Sequence, residues 1–218
     1  MKTMLVTAYL SVFAKRYRYA VMLLGCLTTA TMAQEPSGTP TADAPIYRVG
    51  DTWTILFGKT AVTETVISVT EKQTRMSKTI KGGRPSELDF DEQGCVTRTN
   101  STTYEPSLGS LSFPMTVGKT WDSHWIVRDS NGAHETDAHV QVEAFERVEV
   151  AAGSFDAFKI AMRGVSAWNE TKLSQAPWVA TFWYAPSVKR VVKSIAEFYQ
   201  YHSSRTETYE LSEFSLVP

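Results

Sequence analysis

The chain is poor in cysteine and carries no excess of positive charge. Of its two cysteines, Cys26 and Cys95, only Cys95 lies beyond the N-terminal leader (residues 1–33), so the remaining chain cannot form an intrachain disulfide. The leader holds four of the 22 basic residues and none of the 23 acidic ones, which leaves 18 basic and 23 acidic side chains. This balance argues against nucleic acid as a partner, because binding to phosphates needs clustered Lys and Arg.

Familiar catalytic motifs are also absent. The sequence has no Gly-x-Ser-x-Gly elbow, no His-Glu-x-x-His pair and no Gly-rich phosphate loop. These absences do not exclude an enzyme, but they remove the reason to expect one. The sequence therefore gives no catalytic residues and no cofactor.

The N-terminus has the pattern of a secretory signal peptide over residues 1–33. Lys15, Arg16 and Arg18 precede an apolar run over residues 20–33, and Ala33 fits the small residue expected before a cleavage site. The alternative is a lipobox, because residues 23–26 (LLGC) resemble one and would make Cys26 an acylated N-terminus. Both patterns predict export, to the periplasm or beyond in the first case and as an outer-membrane lipoprotein in the second.

Two regions that differ in amino-acid composition follow the leader. Residues 34–44 are rich in Pro, Ser, Thr and Ala, which predicts a flexible linker. Residues 45–218 alternate between apolar and polar side chains, with turn signals such as Gly82-Gly83 and Asn131-Gly132 between the runs. This pattern predicts one all-β, mainly antiparallel domain with little helix, as a curved sheet or half-open barrel of roughly ten strands.

A short internal repeat suggests that this domain has two similar halves. The sequence VGDTW at residues 49–53 recurs as VGKTW at residues 117–121. Each copy precedes a run of strands, so we expect halves over residues 46–116 and 117–218.

One predicted hairpin brings histidines together. Asn131-Gly132 is typical of a type I′ turn, in which both residues have φ > 0. With these two residues as the loop, His124 faces His139 and Asp137 lies diagonal to them. Two imidazoles and a carboxylate suit zinc or non-haem iron, so these three residues are a candidate metal site. The alternative is an ordinary solvated sheet surface.

Aromatic residues offer a second candidate site. Alternation over residues 179–184 places Phe182 and Tyr184 on one face of the sheet. With Phe198 and Trp125, they would line a concave sheet that holds a hydrophobic or lipid-like ligand. The alternative is an ordinary β-core, where aromatics are expected.

Three segments, at residues 49–53, 148–160 and 181–193, resemble a group of exported bacterial proteins of unknown function. In that group a V-P-A-G-x-F hairpin precedes a W-Y-A-P-G-V hairpin. Here Ala151 replaces the proline, and Ser187 and Lys189 replace glycines. The group is similar to LolA-like half-barrels, so the resemblance implies a curved sheet whose concave side accepts lipid, and it brings no catalytic residues.

The sequence favours an exported, non-catalytic envelope protein that binds a hydrophobic or lipid-like ligand on a curved sheet. The alternative is a protein–protein interaction or assembly module of the envelope. A third hypothesis is a metal-dependent enzyme centred on His124, His139 and Asp137. Contact with a membrane is expected only if Cys26 is acylated.

Overall fold

The structure is a computed structural model that describes residues 38–167, 175–200 and 203–218. The expected signal peptide, its cleavage site after Ala33 and the candidate lipidation site Cys26 lie outside these residues. Within them, segments with alternating apolar and polar side chains form strands. No helix of the described residues is long and apolar enough to cross a membrane.

Antiparallel strands make up most of the described chain, with one short 3-10 helix at Pro186–Val188. In chain order the strands are β1 (Thr41–Ala42), β2 (Thr52–Phe57), β3 (Thr60–Val69), β4 (Thr74–Ile80), β5 (Ser86–Phe90), β6 (Val96–Arg98), β7 (Thr103–Glu105), β8 (Met115–Thr116), β9 (Thr120–Asp129), β10 (Gly132–Val150), β11 (Gly153–Ala167), β12 (Gln175–Ala185), β13 (Arg190–Gln200) and β14 (Ser203–Ser215). Hairpins between consecutive strands are the main connection, as the turn signals predict.

Twelve of these strands form a closed barrel in the order β10-β11-β12-β13-β14-β2-β3-β4-β5-β6-β7-β9. The ring closes because β9 pairs with both β7 and β10, while β14 pairs with β2. The expectation of an all-β, antiparallel chain with little helix is confirmed. The half-open sheet of roughly ten strands is wrong, because the short strands β6 and β7 bridge the gap and closure removes the exposed edges that a half-barrel would leave.

The compact unit begins inside the segment that the sequence predicts as a linker. This unit extends from Gly38 to Pro218. β1 pairs with β8, which places Ala42 opposite Met115, and both side chains are buried. Within the described part of the expected linker, residues 38–44, backbone pairing and burial therefore hold residues 41–42 in place.

The repeated five-residue motif builds the same turn twice. Gly50 and Gly118 have φ values of 99° and 86°. In each copy the glycine N–H donates to the carbonyl of a valine on the next strand, Val66 or Val142, and the valine N–H donates back to the residue after the glycine, with all four N···O distances 2.9 Å. A β-bulge follows each valine. The two copies of the motif therefore build matching turns, while the two similar halves over residues 46–116 and 117–218 stay a prediction.

The buried side chains form two clusters. The first contains Trp125 and Tyr184, from β9 and β12. The second contains Trp53 and Met76, from β2 and β4. The hairpin of β10 and β11, the two longest strands, also adds Phe155 to the second cluster.

The irregular connection between β7 and β9 packs into the first cluster. The ring of Phe113 meets that of Tyr184 edge to face, with 5.2 Å between centroids. Trp121 Nε1 donates to the carbonyl of Gly109 at 2.9 Å, and the side chain of Leu111 is buried in the same cluster. This segment therefore covers part of the inner face of the sheet.

Asp51, at the variable position of the first motif, is a buried acid that joins distant segments. Its carboxylate accepts hydrogen bonds from the N–H of Arg48 at 3.0 Å, the N–H of Val217 at 2.8 Å and Lys189 Nζ at 2.8 Å. Burial opposes ionisation, but these donors outweigh it, and the pKa of Asp51 lies below its ordinary value. Asp51 therefore contributes stability above an unfolded-state pKa of about 3.9 and loses that contribution as the pH falls.

We expect Asp51→Asn to lower the free energy of unfolding by about 2 kcal/mol at neutral pH, because Lys189 loses its counter-charge. The difference in free energy of unfolding between variant and parent should become smaller as the pH falls from about 4 through the lowered pKa of Asp51, since the carboxyl group of the parent is then protonated. Urea unfolding at about pH 7, 5 and 3 measures this, with the exposed Glu105→Gln as the control. A gap that stays constant would contradict the role of the charge.

Candidate functional site

An open groove crosses the outer surface of four neighbouring strands, β9 to β12. Its volume is about 610 Å³, and three consecutive residues of each strand line it, at positions 122–124, 137–139, 163–165 and 177–179. The pairing aligns these triplets, because Asp137 lies opposite His124 and Val165, and Val165 lies opposite Pro177. Since side chains alternate across a sheet, the outward residues of neighbouring strands form rows across the groove.

The hairpin of β9 and β10 has a different register from the predicted one. Its turn consists of Ser130 and Asn131, and Gly132 already pairs with Asp129. The Asp129 carboxylate accepts the N–H of Asn131 at 2.7 Å, and only Gly132 takes a positive φ, 119°. The type I′ turn expected at Asn131-Gly132 is therefore wrong, because the aspartate stabilises a turn one residue earlier.

The change of register pairs each groove histidine with an aspartate instead of with the other histidine. His124 Nδ1 lies 2.8 Å from Asp137 Oδ1, and His139 Nδ1 lies 2.8 Å from Asp122 Oδ1. A displacement of two residues preserves the face of every side chain, so His124, His139 and Asp137 still share one surface. All four side chains are more than half exposed.

These two pairs have one feature in common with metal sites. A carboxylate at Nδ1 leaves Nε2 of the imidazole to meet a ligand, as in most metal-binding histidines. However, no group of three or more His, Cys, Asp or Glu side chains among the described residues is placed to hold a metal ion. The metal site at His124, His139 and Asp137 stays a prediction.

The middle of the groove combines a guanidinium group with apolar side chains. Arg163 lies between His139 and Val179 in the strand pairing, and no described residue forms an ion pair with it. Val165, the next outward residue of β11, is an exposed apolar side chain opposite Pro177. Val165, Pro177 and Val179 form an apolar strip beside the cation.

Gly164 lies between Arg163 and Val165 in β11 and packs against the indole of Trp178 on the inner side of the sheet. A Cβ atom at position 164 would lie 2.3 Å from Trp178 Cζ2 and 2.9 Å from the carbonyl oxygen of Asp137. The Trp178 indole in turn contacts Trp125 and Phe198, with 6.1 and 6.5 Å between ring centroids. The packed Trp178 leaves no room for a side chain at position 164, so a glycine forms the base of the groove.

The aromatic residues that the sequence predicts as ligand contacts lie on the inner side of the sheet. Trp125, Phe182 and Tyr184 are buried in the first cluster, and Phe198 packs against it. Their role as ligand contacts stays a prediction. Sequence reasoning missed Arg163 and the apolar strip, and the one sequence signal for them is a glycine inside a strand.

Solved structures share this fold, although no family model and no curated protein matches the chain. A protein from Bacteroides fragilis that has a YmcC-like fold and is inferred to be exported matches with a TM-score of 0.52 and 15% identity over 81% of this chain and 100% of its own. A protein from Parabacteroides distasonis, inferred to be a lipoprotein, matches with a TM-score of 0.51 and 12% identity over 82% of this chain and 100% of its own. At these identities the likeness shows a common fold, and the chain is similar in architecture to these two proteins.

Proposed function

We propose that this chain is an exported protein of the bacterial cell envelope that binds a small amphiphile, with an anionic head and an apolar tail, and does not catalyse a reaction. The leader supports export. The two solved proteins of this fold, one inferred to be exported and the other a lipoprotein, support it further. The proposed ligand is of the lipid-like class that the sequence favours. Its proposed site, however, is the outer groove and not the inner face of the sheet.

The observation that carries this proposal is the position of Arg163 beside the apolar strip. A guanidinium without an ion-pair partner among the described residues is a ready donor to a carboxylate or phosphate. The strip offers apolar contact within a groove of about 610 Å³, and small-molecule sites occupy about 300–1,000 Å³. An amphiphile would place its head at Arg163 and its tail along Val165, Pro177 and Val179.

Packing of the interior favours the outer groove over the inner side. Trp125 and Tyr184 are only 3% and 1% exposed, and the segment that carries Phe113 covers Tyr184. A ligand on the inner side would have to displace these contacts, which costs as much as opening a core. A ligand in the groove displaces only water.

We expect Arg163→Gln to weaken the binding of decanoate by about tenfold, because one charge-assisted hydrogen bond at an exposed site is lost. Octyl glucoside, which has an apolar tail and an uncharged head, should bind the variant and the parent equally. Isothermal titration calorimetry below the micelle concentrations measures both ligands. Arg128→Gln is the matched control, since Arg128 is an exposed arginine of β9 outside the groove.

A second variant separates the tail from the head. Val165→Glu should weaken both decanoate and octyl glucoside, because it places a charge in the apolar strip. Equal losses from Arg163→Gln and Arg128→Gln would reject the groove as the site of the head. Binding of neither ligand by the parent protein would reject the proposed function.

A further inference from the structure

Among the described residues, the two ends of the barrel differ in the number of exposed apolar side chains. End 1 is where β2 and β9 begin and β14 finishes, and it holds the turns over residues 70–73, 91–95 and 151–152. End 2 holds the turns over residues 58–59, 81–85 and 130–131. Because neighbouring strands are antiparallel, each turn belongs to one end.

Exposed apolar side chains concentrate at end 1. Among the described residues, eight large ones that are exposed lie there, and together they form the apolar rim: Ile46, Val49, Ile67, Val69, Val117, Phe145, Phe214 and Val217. The exposed fraction reaches 78% for Ile46 and 60% for Val49. Among the residues that the structure describes at end 2, the exposed large apolar side chains are Phe57, Ile80 and Tyr199.

The centre of the rim surrounds the first glycine turn. The N–H of Gly50 donates to the carbonyl of Val66, which places Ile67 beside the turn. A Cβ at Gly50 would lie 3.1 Å from Val217 Cγ2, so Val217 and the neighbouring Val49 share one surface. The second copy of the turn places Val117 at the same end. The repeated motif thus exposes an aliphatic residue at two points of the rim.

The N-terminal part of the described chain also lies at end 1. β1 pairs with β8 at residues 115–116, immediately before Val117. Cys26 is separated from Gly38 by eleven residues. A chain of that length reaches at most about 40 Å. An acyl group on Cys26 would therefore keep end 1 closer to a membrane than end 2.

We propose that end 1 docks on a lipid bilayer, with the apolar rim inserted at the boundary between headgroups and acyl chains. The rim consists of side chains from strands β3, β10 and β14 and from the segments between and after the strands, and aliphatic and aromatic side chains of this kind insert at the boundary between headgroups and acyl chains. A protein partner would instead need a contiguous packed patch of about 800 Å². The groove lies outside the rim, so this inference is independent of amphiphile binding.

The orientation can be measured with one fluorophore at either end. Val49→Cys and Ile80→Cys, each in the exported, processed protein, are labelled with an environment-sensitive dye, and intact mass verifies one label per molecule. The native Cys95 is buried and burial raises its pKa to about 12, so it should not react. With vesicles of phosphatidylethanolamine and phosphatidylglycerol, the emission at position 49 should shift to the blue and that at position 80 should not.

Charged substitutions test the rim itself. Ile46→Asp with Val49→Asp should reduce vesicle partitioning by about tenfold per substitution, measured by flotation of the full protein. The matched pair Phe57→Asp with Ile80→Asp should leave it unchanged. Equal shifts at positions 49 and 80, or no shift at either, would overturn the proposal. A shift at position 49 that grows with protein concentration without vesicles would also overturn it and would identify a second copy as the occupant.

Discussion

Replacing Gly164 with alanine is expected to lower the free energy of unfolding by about 3 kcal/mol, the upper part of the range for overpacking. The new Cβ would lie 2.3 Å from Trp178 Cζ2 and 2.9 Å from the carbonyl oxygen of Asp137. The carbonyl oxygen of Asp137 cannot move away without disturbing the pairing of β10 with β11. Trp178 cannot retreat easily either, because Trp125 and Phe198 pack against it.

Urea unfolding measures the effect, with Gly38→Ala as the control. No atom lies within 4 Å of where a Cβ at Gly38 would be. Its replacement should therefore change stability by no more than about 0.5 kcal/mol. If Gly164→Ala is as well tolerated as Gly38→Ala, the contact of Trp178 with the β11 backbone does not constrain the base of the groove.

The strands could be predicted from the sequence, whereas the closure of the barrel could not. Alternation over residues 138–143 marks a strand because successive side chains of a strand face opposite sides of the sheet, and here the apolar ones are buried. Closure depends on β6 and β7, which have three residues each and are too short to show a period. It also depends on the pairing of β2 with β14, which no local signal encodes because the two strands are far apart in the chain.

The candidate site was predictable in part for the same reason. A period of two placed His124, His139 and Asp137 on one surface, even though the register was displaced by two residues. The partner of His139, Asp122, depended on the turn, where the side chain of Asp129 outweighed the preference of Asn131-Gly132. The groove is formed by four paired strands, so it could be identified only from the three-dimensional structure.

The second core cluster contains an ion pair that the sequence does not reveal. Arg190 at the start of β13 hydrogen-bonds to Glu64 on β3, and these side chains are 12% and 4% exposed. The guanidinium lies over the rings of Trp53 and Phe90, 5.3 and 4.8 Å from their centroids. Burial alone would lower the pKa of Arg190, but the Glu64 carboxylate and Tyr47 raise it above its ordinary value, so Arg190 stays charged.

We expect Arg190→Leu to lower the free energy of unfolding by about 3–5 kcal/mol, because it leaves the Glu64 carboxylate buried without a counter-charge. The double variant Glu64→Leu with Arg190→Leu should recover part of this loss, since no uncompensated charge then remains. Arg128→Leu, which removes the exposed pair with Glu105, should cost less than about 1 kcal/mol. Urea unfolding near neutral pH measures all three, and a double variant no more stable than Arg190→Leu alone would show that the unpaired charge of Glu64 is not the source of the loss.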